Sequence, residues 1–211
     1  MISVIIPSYN RFELLNRAIN SVTSQSFENY EIIVVDDFSS DSRYFELGKD
    51  ERIIYKRLEK RLGFPGKVRN EGIKLSNGDW VAFLDDDDFW LPEKLQKQSK
   101  HFSNFDFICS DAFINGRSYS KDMFLDYWNH ANPSNKNELD NSIISRHNVI
   151  INSTVVVKKD LINSIGNFNE SVRNGEDHLT WLSILKNDVV CYYLDEPLID
   201  YNTNTYKHYT N

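Results

Sequence analysis

Apolar, mostly β-branched runs alternate with stretches of helical periodicity along the first half of the chain. Ile2 to Ile6 is a short hydrophobic run stopped by Pro7, and Glu31 to Val35 is a second, closed by Asp36-Asp37. Runs without polar alternation predict strands covered on both faces. Between them Phe12, Leu15, Ala18, Ile19 and Val22 fall on one helical face, which predicts strand, helix, strand with a right-handed crossover. A third strand is expected at Arg52 to Arg57, a helix from about Lys67 to Leu75, and a fourth strand at Trp80 to Leu84 running into Asp85 to Asp88. Pro92 suits the first position of a helix over Glu93 to Phe102.

Further strands are expected at Phe105 to Ser110, Thr154 to Val157 and Val189 to Leu194, with helices at Lys159 to Ile165 and His178 to Leu185. Ala112 to Asn148 is polar and poorly periodic, so it is either a long loop or a helical insertion. The alternation gives an α/β class: a mostly parallel central sheet flanked by helices. In such sheets ligands bind beyond the carboxyl ends of the strands, and two of these strands end in carboxylates.

Length and composition narrow the class. At 211 residues the chain is one domain by the usual ~100–200 residues per domain, large enough to bury a core without staples. The two cysteines, Cys109 and Cys191, have no metal-like spacing, which points to a reduced, cytoplasmic setting. No apolar run reaches the ~18–20 residues of a membrane span, and the N-terminus lacks the basic region of a signal peptide. A net charge of −7 argues against nucleic acid as a partner.

The sharpest chemical feature is Asp85-Asp86-Asp87-Asp88. Adjacent carboxylates repel unless something positive sits among them. A divalent cation, Mg²⁺ or Mn²⁺, completed by waters and a substrate diphosphate, would answer that; the plain alternative is a solvated acidic turn. Asp36-Asp37 offers acceptors for a nucleobase N–H or a ribose hydroxyl, or is simply a pair of loop acids. Gly175-Glu176-Asp177 precedes an apolar helical stretch. Those acids either cap the helix or supply a general base. Lys56, Arg57, Lys60, Arg61, Lys67 and Arg69 form a basic cluster that either meets a diphosphate or keeps a loop soluble. No nucleophile-elbow, P-loop or three-glycine dinucleotide pattern is present.

Five segments in order, SVIIPSYNR, EIIVVDDFSSD, GDWVAFLDDDDFWLPEKL, NSTVVVKKDLINSIGNFNE and GEDHLTWLSIL, resemble family 2 glycosyltransferases of the A-type fold. The resemblance runs from Ile2 to about Leu185. It implies an inverting transfer of a sugar from a nucleotide diphosphate donor, usually UDP-linked, to an acceptor hydroxyl, in cell-surface polysaccharide or glycoconjugate synthesis. It also implies that Pro7, Ser8, Tyr9, Asp37, Arg69, Asn70, Asp85 and Asp86 serve the nucleotide sugar. Asp87 would hold the metal, with Asp88 an alternative register. Asp177, beside Glu176, would be the base, and Trp181 belongs to the same motif. His208 is the candidate for a further metal contact, and His178 is either a contact or helix surface.

On this reading residues 1–110 form the donor part and 111–211 the acceptor part of a single catalytic domain. The chain stops at residue 211, so a stand-alone or shortened catalytic core is expected. The acceptor would be a saccharide, lipid-linked in many such cores. The Phe124, Tyr127, Trp128 region either makes peripheral contact with the inner face of the membrane or packs as core or as a lid. The competing classes are a nucleotidyltransferase, a non-catalytic sugar-nucleotide-binding module and, weakest, a phosphatase with an acidic nucleophile.

Overall fold

The computed structural model describes residues 1–114, 116–118, 137–146, 148–186 and 189–203. Phe124, Tyr127, Trp128 and His208 lie outside the described residues. Among the described residues ten strands form one sheet: β1 (Ile2–Ser8), β2 (Tyr30–Asp36), β3 (Ile53–Arg57), β4 (Trp80–Phe83), β5 (Phe89–Trp90), β6 (Phe107–Ile114), β7 (Arg117–Ser118), β8 (Glu138–Leu139), β9 (Val156–Lys158) and β10 (Cys191–Tyr201). Their order is β3-β2-β1-β4-β9-β6-β10-β5, with β7 on β6 and β8 on β10. The helices are α1 (Phe12–Thr23), α2 (Pro65–Leu75), α3 (Lys94–Ser99), α4 (Asn141–Ile144), α5 (Lys159–Ser164) and α6 (Glu176–Leu185). Two 3-10 turns, Ser42–Lys49 and Asn152–Thr154, complete the elements.

The expected α/β class with a mostly parallel sheet is what the chain adopts. β1 pairs in parallel with both β2 and β4, and β2 with β3. β9 alone reverses in the middle of the sheet, antiparallel to β4 and to β6, while β6 and β10 are again parallel. β1 shows why its sequence is almost wholly apolar. Ile2, Val4 and Ile6 belong to one buried cluster with Leu15, Ala18 and Val22 of α1, while Ile5 belongs to another with Val68 and Ile73 of α2 and Trp181 of α6. Alternate side chains of one strand thus enter two cores on opposite faces. Each such side chain, once buried, contributes about 1.5–3 kcal/mol.

Several boundaries differ from the periodicity. Pro92 does not open a helix: α3 starts at Lys94 with Glu93 as its N-cap, and the Pro92 carbonyl accepts from Ser26 N–H at 2.9 Å. Pro65 takes that role instead, at the start of α2. β10 continues past Leu194 to Tyr201, with register shifts on either side of Pro197. Cys109 and Cys191, distant in sequence, come to 3.4 Å Sγ to Sγ as free, buried thiols.

One close approach sets how deeply α2 sits. A Cβ at Gly72 would stand inside van der Waals contact of Ile5 Cγ2, and Ile5 is a stiff, fully buried side chain. Helix propensity alone would make Gly72→Ala stabilising by about 1 kcal/mol. We expect the opposite, a loss of about 1–3 kcal/mol from overpacking, read as a lower urea midpoint with an unchanged m-value.

Candidate functional site

The chain winds outward from β1 through β2 to β3, then returns to β4 on the other side of β1. That reversal is a topological switch point, where strand-end loops diverge and leave a crevice. A cleft of about 620 Å³ opens there. Pro7, Ser8, Tyr9 and Arg11 line it from the end of β1, Asp37 from the end of β2, and Asp85, Asp86 and Asp87 from the end of β4. The β1 loop is braced from beneath: Ser8 Oγ shares a 2.7 Å hydrogen bond with the buried Tyr44 hydroxyl, which also accepts from Arg11 N–H at 2.9 Å. Asn10 takes a left-handed φ of 51°, a conformation asparagine tolerates better than most residues. Its Oδ1 accepts from Ser40 N–H at 2.8 Å.

The four aspartates have four different surroundings. Asp85 Oδ1 accepts from Arg69 Nη2 at 2.6 Å and from Asn152 Nδ2 at 3.1 Å. Asp86 is fully buried and held by Arg11, Nη2 to Oδ1 at 2.5 Å. Burial raises its pKa to about 7 against the opposing pull of Arg11. Asp87 is partly exposed and meets Arg11 Nη1 at 3.0 Å. Asp88 points into the body of the protein, accepting from Ser153 Oγ and from Asn202 N–H at 3.0 Å. Asp88 is thus committed to the interior, while Asp85 and Asp87 lie on the partly open side.

The opposite wall comes from the first turn of α6. Gly175 precedes it with a φ of 74°, where a side chain would be strained. Glu176 is buried and takes Arg69 Nη1 at 2.5 Å. The same guanidinium, 4% exposed, therefore spans the end of β4 and the start of α6. Asp177 Oδ1 accepts from His178 N–H at 2.7 Å. Burial raises the pKa of both Glu176 and Asp177, and Arg69 opposes that rise at each. Seven protein carboxylates and arginines thus meet at one strand end, and Arg61 and Arg173 border the same cleft.

Residues 3–165 match the family described as Glycosyl transferase family 2. The chain belongs to that family. Glycosyltransferase TuaG of Bacillus subtilis, named for teichuronic acid biosynthesis, is 32% identical over 95% of this chain and 78% of its own length. WfgD of Escherichia coli, named as a UDP-Glc:α-D-GlcNAc-diphosphoundecaprenol β-1,3-glucosyltransferase, is 30% identical over 89% of this chain and 71% of its own. The crystal structure of Staphylococcus aureus TarS 1–349 in complex with UDP superposes with a TM-score of 0.77 at 25% identity, covering 95% of this chain and 60% of TarS 1–349. Among the described residues no helix is long and apolar enough to cross a membrane.

Set in the family 2 frame, most expected site residues border the cleft, but not all act as expected. Asp37 lines it, yet both its oxygens already accept backbone N–H groups, from Leu62 at 2.6 Å and Gly63 at 2.9 Å. Asn70, expected at the donor, is absent from the lining. Its amide grips the Phe168 backbone through two 3.0 Å hydrogen bonds and also donates to Glu170. A buried residue on the inner face of α2 spends its polar atoms on the neighbouring loop. Of the basic cluster, Arg61 and Arg69 reach the cleft, while Arg57 turns to Asp36 and the Ser39 carbonyl. His178 binds the Ile144 carbonyl at 2.7 Å, and Trp181 is fully buried against Phe83, Phe107 and Phe168. Arg11, Tyr44, Asn152 and Ser153 were not singled out by sequence. Arg11 closes the segment SVIIPSYNR and Asn152-Ser153 open NSTVVVKKDLINSIGNFNE, which were the signals available.

Removing Arg69 leaves Asp85 and Glu176 facing each other without a counter-charge. Breaking one side of a buried ion pair costs about 3–5 kcal/mol. Arg69→Met should therefore lower unfolding free energy by that amount in chemical denaturation, with Glu176→Gln restoring part of it in the double variant.

Proposed function

We infer that the chain transfers a sugar from a nucleotide diphosphate donor to a saccharide hydroxyl in cell-surface polysaccharide synthesis. The observation that carries this reading is one cleft, in a family 2 domain, lined by Asp37, by Asp85 to Asp87 and by Glu176-Asp177. TarS crystallised with UDP and WfgD named for UDP-glucose support a UDP-sugar as donor. The WfgD name supports a lipid-linked acceptor, which would bring the reaction to the cytoplasmic face of the membrane.

In this reading Pro7, Ser8, Tyr9 and Asp37 take the nucleoside, and Asp85 and Asp86 face the ribose and sugar side. A divalent ion fits the cleft in a specific way. Among the described residues no group of three or more His, Cys, Asp and Glu encloses a metal. Mg²⁺ and Mn²⁺, however, are commonly held by one or two carboxylates plus substrate phosphates. Asp87, with Asp85 beside it, is such a partial donor set. When bound, the ion would neutralise charge on the leaving diphosphate as a Lewis acid. Arg11 holds Asp87 in place, and Arg61 and Arg173 add positive charge at the cleft edge.

Asp177 takes the acceptor proton as the hydroxyl attacks the anomeric carbon opposite the leaving group, a single displacement that inverts configuration. Glu176 fixes Arg69 and so the position of that turn. Because a base must be ionised, activity falls as pH drops through the Asp177 pKa. Burial has raised that pKa above 3.8, so the acid limb should lie above the ordinary aspartate range.

Two measurements test this. Melting is followed with UDP, GDP and CDP, each with and without Mn²⁺. UDP with Mn²⁺ at a hundredfold excess over Kd should raise Tm by about 5–10 °C, and no shift with any nucleoside diphosphate would overturn the reading. Separately, Asp177→Asn should cut kcat about 100- to 10,000-fold and abolish the acid limb; turnover at the wild-type rate would remove Asp177 as base.

A further inference from the structure

A second cavity, of about 230 Å³, adjoins the cleft and shares Asp85, Gly175 and Asp177 with it. Its other walls are Asn148, Ile150, Ile151, Asn152 and Tyr201. Pro7, Ser8, Tyr9 and Asp37 do not line it, whereas Asp85, on the ribose and sugar side, and Asp177 do. Two amides, a phenol and two isoleucines give the mixture of directed polar atoms and apolar surface that a sugar ring matches, at the scale of a single ring.

Asn152 is the informative residue. It is 4% exposed, and its Nδ2 donates to Asp85 Oδ1 at 3.1 Å. That bond fixes the amide orientation, since the flipped form would set oxygen against carboxylate oxygen. Its Oδ1 is then a buried acceptor with no hydrogen-bond partner among the described residues. The turn cannot easily relax to find one. Ser153 Oγ accepts from Asp85 N–H at 3.0 Å, and Trp90 Nε1 and Gln98 Nε2 each donate to its carbonyls, at Ser153 and Thr154, at 2.8 Å. Native proteins rarely leave a buried acceptor unpaired without a reason.

We propose that this cavity seats the terminal ring of the acceptor saccharide, with Asn152 Oδ1 accepting a hydrogen bond from a ring hydroxyl beside the attacking one. Asn152 is an acceptor-binding and specificity-determining residue, because an acceptor-only oxygen selects a ligand O–H at that position. The proposal rests on Asp177 being the base. The shared chemistry, a ring hydroxyl, could also come from the sugar of the donor, and the experiment separates the two.

Saturation-transfer difference NMR is recorded with UDP, Mn²⁺ and a panel of methyl glycosides of glucose, galactose, N-acetylglucosamine and N-acetylgalactosamine. The proteins are wild type, Asn152→Leu and the rim variant Asn148→Trp, which blocks the mouth from an exposed position should Asn152→Leu fold poorly. At least one glycoside should receive saturation on the wild type and lose it at least fivefold in the folded variants, while UDP protons keep theirs. No glycoside signal on UDP-bound wild type, or a signal unchanged in the variants, overturns the acceptor subsite. With UDP-N-acetylglucosamine replacing UDP, selective loss of the donor's own sugar signals also overturns it, leaving the donor reading intact. Absence of UDP signal on the wild type instead removes the reading on which the proposal rests.

Discussion

Charge crowding at the end of β4 is the constraint that the site has to satisfy. Four consecutive carboxylates, with Glu176 and Asp177 across the cleft, cannot share one small volume unless each finds its own counter-group. The chain separates them by direction. Asp88 is turned inward onto Ser153 and a backbone N–H of Asn202. Asp86 and Asp87 share Arg11, and Asp85 shares Arg69 with Glu176. The acidic run is therefore four distinct environments, of which two remain partly open to a ligand.

Arg69 is also where fold and site become one problem. Its helix can press close to β1 only because position 72 carries no Cβ. On the same buried face Asn70 holds the Phe168 backbone, and the chain runs on from there toward Gly175 and the first turn of α6. The depth of α2, the loop before α6 and the separation of Asp85 from Glu176 are thus set together. Packing and electrostatics meet within one turn of one helix, from Arg69 to Gly72.

This coupling explains what could be read from the sequence. β1, β2 and β4 were legible because strands covered on both faces carry unbroken apolar runs. The two-residue strands β5, β7 and β8 leave no periodic trace, and the reversal of β9 depends on pairing that no local pattern encodes. The carboxylates stood out because four in a row is costly without compensation. Their compensators did not, since Arg11 lies 76 residues before Asp87, and Asn152 and Ser153 lie 67 and 65 residues after Asp85 and Asp88. Asn70 was expected at the donor from the family resemblance of Arg69-Asn70, and no local pattern shows that its amide turns to the Phe168 backbone.

The two adjacent acids of α6 illustrate how such partners divide chemical work. Glu176 and Asp177 are consecutive and both desolvated, and both stand in a turn whose helix dipole favours negative charge. What separates them is Arg69. Glu176 is committed to the guanidinium at 2.5 Å, so its charge is spent on holding the wall. Asp177 feels Arg69 without a direct bond and borders both cavities. Asp177 thus stands where the two spaces meet, the position from which the proposed function has it take the acceptor proton. Environment rather than residue type assigns the roles.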